Sequence, residues 1–183
     1  DIKEDAEWLI RMVENILTVT RISEETGTIS KTPEAAEEII SEAVMKFRRR
    51  YDVPVEITIP DELMLIPMDA ILIEQVIVNL LENSVLHGKT TTLIKLTLSS
   101  DGENAVFSVA DNGSGINEKK LPMLFSGYFI HAEEQSGDVK RNMGIGLSVC
   151  LTIIKAHGGT MTAGNLPEGG AEFTFTLPLE RAL

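Results

Sequence analysis

Asp111-Asn112-Gly113-Ser114-Gly115 follows a run in which Val106, Phe107, Val109 and Ala110 alternate as a strand. An acid at the end of a buried strand is ordinarily a turn former or a cap. Running straight on into Asn-Gly-x-Gly is an awkward way to make only a turn. A second glycine pair, Gly144-Ile145-Gly146, opens an apolar helical run about thirty residues on, and an Asn-bearing helix lies about thirty residues before. Three elements at that spacing point to a nucleotide site.

The totals narrow the chemistry. The 183 residues carry 16 basic and 28 acidic side chains, a net charge of −12 spread along the chain. Nucleic acid is excluded as a partner, because phosphate backbones demand a basic face. An anionic ligand would have to be met locally, by backbone N–H groups, a metal and a few cations. A composition of 43% hydrophobic and 24% charged residues is that of a globular chain with a proper core. The single cysteine, Cys150, lies in an apolar helical run and reads as a small core residue. No run is expected to reach membrane-spanning length, no leader is recognisable, and a chain that starts at Asp1 is expected to be cut from something longer.

Residues 1–22 read as one amphipathic helix with Leu9, Met12, Val13, Ile16, Leu17 and Thr20 on one stripe. The stripe needs cover, either from the domain itself or from a helical bundle that includes a second chain. Residues 23–32 form a linker with a first short strand at 28–31. A helix is then expected from Thr32 as N-cap and Pro33 as its first residue, with Ile39, Ile40, Ala43, Val44 and Phe47 facing the core. Strands follow around Val55, Ile57 and Ile59 and over 63–66. Asp69 caps a long helix to His87 that is apolar nearly all round. Strands 93–98 and 105–110 flank Asp101-Gly102, a hairpin signal. A helix over 144–157 stops at Gly158-Gly159, and strands 160–164 and 173–177 close the chain. Between strand 105–110 and the helix over 144–157, about 125–143 has no sustained period and reads as a functional lid.

Asn79 and Asn83 stand one helical turn apart on this apolar helix. Each buried amide costs about 1–3 kcal/mol unless hydrogen-bonded. Either bonds to neighbouring backbone or, as a pair beside a glycine loop, to Mg2+ and phosphates, for which an amide oxygen is a hard ligand. Gly144 and Gly146 place a helix N-terminus where phosphate oxygens can meet free N–H groups. Asp111 can accept a hydrogen bond from an exocyclic amine, which selects adenine over guanine, and Gly113 and Gly115 keep that wall free of side chains.

Together these stretches resemble the ATP-binding domain of the sensor histidine kinases, within the Bergerat-fold ATPases that include gyrase and MutL. The N box resembles Asn79-Leu80-Leu81-Glu82-Asn83-Ser84 and the first glycine box Asp111 to Ile116. The F box resembles Leu124-Phe125 through Tyr128-Phe129, the second glycine box Gly144 to Ser148, and the last glycine turn Gly169-Gly170-Ala171. The wording around His157-Gly158-Gly159-Thr160 and Pro167 to Ala171 is most similar to the potassium-responsive branch of that family. The resemblance implies an α+β fold, a two-layer α/β sandwich with a mixed sheet on three helices, preceded by one amphipathic helix. It implies Asn83 as Mg2+ ligand, Asn79 as a second candidate ligand, and both as catalytic residues. It places His87, Asp111, Gly113, Gly115, Ile116, Phe125, Arg141, Gly144, Gly146, Leu147 and Thr176 at ATP.

Asn79 stands where the hydrolytic members resemble one another in carrying Glu as general base. An imidazole attacks through a free lone pair and needs no such base, so Asn79 favours transfer to histidine over hydrolysis. Leu86 replaces the family's usual Lys, His87 its aromatic, and Ile130-His131 its Arg; Lys140 and Arg141 are the nearest substitutes. The histidines are His87, His131 and His157, none on an upstream helix in the acceptor pattern. The resemblance therefore implies a catalytic fragment that phosphorylates a histidine on a dimerisation domain absent from this chain. Its expected partners are that phosphoacceptor domain, of its own or a partner subunit, a response regulator, and a second copy in a homodimer. Its expected setting is the cytoplasmic side of a membrane-bound sensor. The alternative is a nucleotide-sensing or scaffold module whose catalysis has decayed.

Overall fold

The computed structural model describes residues 29–125 and 143–179, with side chains from 146 in the second span, and scattered residues between 2 and 22. All of those early residues are helical, and Ile22 at their end is buried in the core. Thr18 donates to Gln75 Oε1 at 3.3 Å, and Gln75 Nε2 donates to Asn15 at 3.0 Å, so this helix touches the domain through polar groups.

The next element is a strand where a helix start was expected. β1 (Thr32–Ala35) pairs antiparallel with β3 (Leu65–Met68), Thr32 opposite Met68 and Pro33 opposite Pro67. Neither proline can donate, so that pair falls at a position without ladder bonds, where proline is tolerated. The Thr32 hydroxyl bonds Glu34 rather than capping anything. Helix α1 (Ala36–Arg48) starts three residues later than Thr32 signalled, with Ala36 N–H donating to Met64 O at 3.1 Å. Pairing across the chain has overridden a good local cap.

The main sheet has five strands in the order β2-β4-β5-β7-β6. These are β2 (Val55–Thr58), β4 (Ile94–Ser100), β5 (Asn104–Asp111), β6 (Met161–Asn165) and β7 (Ala171–Pro178). β2 runs parallel to β4 and every other pair is antiparallel, so the sheet is mixed. Alternation sends Ile94, Leu96, Phe107, Val109, Phe173 and Phe175 to one face, where Phe107 and Phe175 stack at 4.6 Å. α2 (Ala70–Gly88) and α3 (Met143–Ala156) pack on that face, and α1 packs beside them on α2. The two-layer sandwich on three helices is as the resemblance implied.

α2 is the central core helix, with Ile73, Val76, Ile77, Leu80 and Leu81 fully buried. By length and composition it could cross a membrane, contrary to the sequence expectation, yet half of that window is buried inside the fold. It also carries buried Glu74 and Glu82, which pair with Lys46 of α1 and with Arg50 just beyond its end. Asp69 caps α2 through Leu72 N–H at 3.1 Å, as its position signalled.

Candidate nucleotide site

β5 ends at Asp111, 4% exposed, where the sheet meets the last turns of α2. Its Oδ1 accepts N–H bonds from Gly113 at 2.8 Å and Ala171 at 3.3 Å, while Oδ2 takes no hydrogen bond among the described residues. The carboxylate is therefore oriented in advance with one oxygen to spare. Asn112 turns outward and ties the loop to the start of β4, accepting from Thr92 and Leu93 N–H at 2.9 and 3.1 Å. Ser114 N–H donates to Gly88 O at 2.9 Å, fastening the same loop to the end of α2.

Beside Asp111 opens a small, partly enclosed cavity. Asn83, His87 and Gly88 line it from α2, Gly115 and Ile116 from the loop, Leu147 from α3, and Ala171 and Phe173 from β7. Asn83 Nδ2 is buried there with no hydrogen-bond partner among the described residues. A buried amide left so costs about 1–3 kcal/mol, and an acceptor on a ligand would relieve it. At Gly146, in the first turn of α3, a Cβ would meet nothing within 4 Å among the described residues. The residues present thus fit ATP: an acceptor for the base, apolar walls, and a buried donor without a partner among the described residues.

The glycines of the first box have another reason than clearing the wall. A Cβ on Gly113 would run into Gly88 O and Thr91, and one on Gly115 (φ +72) would lie 2.8 Å from Asn165 Oδ1. Gly170 (φ +92) lets β7 approach so closely that a Cβ would overlap the Asp111 carbonyl oxygen.

Thus Asn83, His87, Asp111, Gly115, Ile116 and Leu147 come together as expected residues of one cavity. Asn79 does not line it. Its Nδ2 donates to Cys150 Sγ at 3.6 Å, and its outer side borders a separate cleft between the N-terminal helix, α1 and α2. Burial pushes the Cys150 thiol up to about 12, so this is a core contact. Phe125 packs half-buried on the core, away from the cavity lining. Thr176 is a correction: the parity that turns Phe175 and Leu177 inward turns Thr176 outward, where its hydroxyl meets Thr160 at 2.9 Å. It sits five residues along β7 from Ala171, roughly 17 Å at strand rise. Arg141, Lys140, Ile130, His131 and most of the expected lid lie outside the described residues, and of Gly144 only the helical backbone is described. The sequence reading missed Asn112, Asn165, Gly88 and Phe173; only the inward parity of Phe173 signalled any of them.

Residues 68–181 match the family described as histidine kinase-, DNA gyrase B-, and HSP90-like ATPase. The chain is 38% identical to the sensor protein KdpD of Clostridium acetobutylicum over 98% of its own length and 20% of that protein. Identity to the sensor protein KdpD of Escherichia coli is 34%, over 94% of this chain and 19% of the relative. The chain thus spans about a fifth of the length of these two curated relatives. Among solved structures, the nucleotide-free catalytic domain of the histidine kinase ThkA superposes with a TM-score of 0.66 at 25% identity, covering 82% of this chain and 97% of that one. With the cavity, the Asp111 carboxylate and the mixed sheet in place, the chain belongs to the histidine kinase-, DNA gyrase B- and HSP90-like ATPases, as a catalytic ATP-binding domain of the histidine-kinase type.

Proposed function

We propose that this domain holds ATP with its exocyclic amine on Asp111 and passes the γ-phosphoryl group to a histidine of a dimerisation domain. One observation carries the reading: a buried carboxylate fixed by two backbone N–H groups, with a spare oxygen, in a cavity that is also lined by Asn83, whose Nδ2 has no partner among the described residues. Transfer needs a lone pair on an acceptor nitrogen, which attacks γ-phosphorus as the bond to the β–γ bridging oxygen breaks and ADP leaves. Asn79, an amide, supplies no base, and a neutral imidazole needs none. Asn83 would contribute its side-chain oxygen to Mg2+, whose charge would offset that of the phosphates. Gly146 and the start of α3 would receive phosphate oxygens, with Arg141 and Lys140 as the nearest cations in sequence. Residues 1–22 are then the last helix of the dimerisation domain, 23–32 the link, and 33–183 the catalytic domain. A homodimeric, membrane-bound sensor with a response regulator is the setting this reading implies.

The test is transfer to a supplied acceptor. Mixed with labelled MgATP and a histidine-bearing dimerisation domain, the chain should place acid-labile label on that domain. Alone it should not label itself, since His157 has both ring nitrogens engaged and His87 lies in the cavity wall. Steady ADP release without labelled acceptor would sink the kinase reading in favour of a hydrolase. A second reading, a nucleotide sensor without transfer, is favoured by Leu86, 44% exposed where the family carries Lys; it predicts binding and neither product.

A further inference from the structure

We propose that Asn165 is a positioning residue for the adenine wall and sets the selectivity of the site for an exocyclic amine. The inference rests on the reading of the cavity as an adenine site. Asn165 ends β6, and its carboxamide closes a ring on one backbone unit: Oδ1 accepts from Ile116 N–H at 2.6 Å and Nδ2 donates to Ile116 O at 2.7 Å. Ile116 lines the cavity and is 9% exposed. An amide side chain that pairs with both groups of a residue replaces the strand neighbour the loop lacks.

The cross-strand partner of Asn165 is Ala171, whose N–H bonds Asp111 Oδ1. One β6–β7 pair therefore fastens both sides of the wall, the carboxylate through Ala171 and the loop through Asn165. The turn between them is closed by Leu166 N–H donating to Gly170 O at 3.0 Å. Gly115 belongs to the same device, since a side chain there would press on Asn165 Oδ1. Asn165 is itself exposed and is not part of the hydrophobic core. Its loss should loosen the loop rather than unfold the domain.

Calorimetric titration of the full chain and of Asn165→Ala with MgATP and with magnesium inosine triphosphate tests this. Inosine carries a carbonyl in place of the amine, so it reports the rest of the site. The wild type should prefer ATP. Asn165→Ala should bind ATP about ten-fold more weakly, while its inosine nucleotide affinity moves less than about two-fold. Equal weakening of both would mean a merely structural role and overturn the inference, as would unchanged ATP binding. Amide exchange at Ile116 gives a nucleotide-free readout: it should accelerate at least ten-fold in Asn165→Ala, with Asn165→Ser intermediate. If the wild type prefers neither nucleotide while Ile116 exchange still responds, the adenine reading fails and the clamp alone survives.

Discussion

Asp111 uses its two oxygens differently, and that difference makes a single substitution informative. In Asp111→Asn the remaining oxygen can still accept from Gly113 and Ala171, so the loop keeps its form. The other position becomes an NH2 group that faces the nucleotide's amine donor to donor. Loss of a charge-assisted bond together with an unsatisfied donor is worth about 3–4 kcal/mol, or roughly 10²–10³ in affinity. Calorimetry should find that loss, with the circular dichroism spectrum and nucleotide-free melting little changed; a dissociation constant within about three-fold of wild type would sink the role. Asp111 was legible because chemistry and local sequence coincide there, at a strand end before two glycines. Asn165 was not, because its partner is forty-nine positions away and nothing local marks it. Thr176 went wrong on a rule the sequence did contain, since Ala171, Phe173, Phe175 and Leu177 already fix its parity.

At the scale of elements, the long periodic helices and the β4–β5 hairpin could be read directly, since burial demands one apolar face from each. β1 could not, because its strand state depends on pairing with β3 rather than on Thr32 and Pro33. A comparable long-range tie joins α3 to α2. The backbone N–H of Asp69, the α2 cap, donates to His157 Nε2 at 3.0 Å, which fixes the tautomer with Nδ1–H donating to Ile153 O at 2.8 Å. Burial lowers the affinity of this imidazole for a proton; the Ile153 carbonyl and Asp69 oppose that shift and Lys31 adds to it. Above about pH 6.5 both folded and unfolded forms are neutral and the tie contributes in full. As pH falls below that value the unfolded chain takes up the proton first, so stability drops until the lower folded value is passed. Urea denaturation between pH 7.5 and 5 should therefore show a steeper loss for wild type than for His157→Gln, whose side-chain oxygen can accept from Asp69 at every pH. Parallel curves would remove His157 from the account.

Over the whole molecule, the cavity sits where the end of α2, the start of α3, the end of β5 and the start of β7 converge, so a ligand there bridges both layers of the sandwich. Such a ligand stabilises the native state by mass action, whatever the detailed contacts. At ATP one hundred times its dissociation constant the gain is about 2.7 kcal/mol. For a chain of this size that raises the melting temperature by roughly 5–10 °C. The chain's net charge of −12 makes the divalent cation matter more than it would in a basic protein, because ATP alone adds like charge to an acidic surface. Scanning fluorimetry should thus show the full shift with MgATP, a smaller one with ATP and chelator, and almost none for Asp111→Asn under either condition. An equal shift with and without chelator would remove Mg2+, and with it the metal role of Asn83, while leaving the adenine site standing. A full shift in Asp111→Asn would do the reverse, placing the binding energy at the phosphate end beside Gly146 rather than at the base.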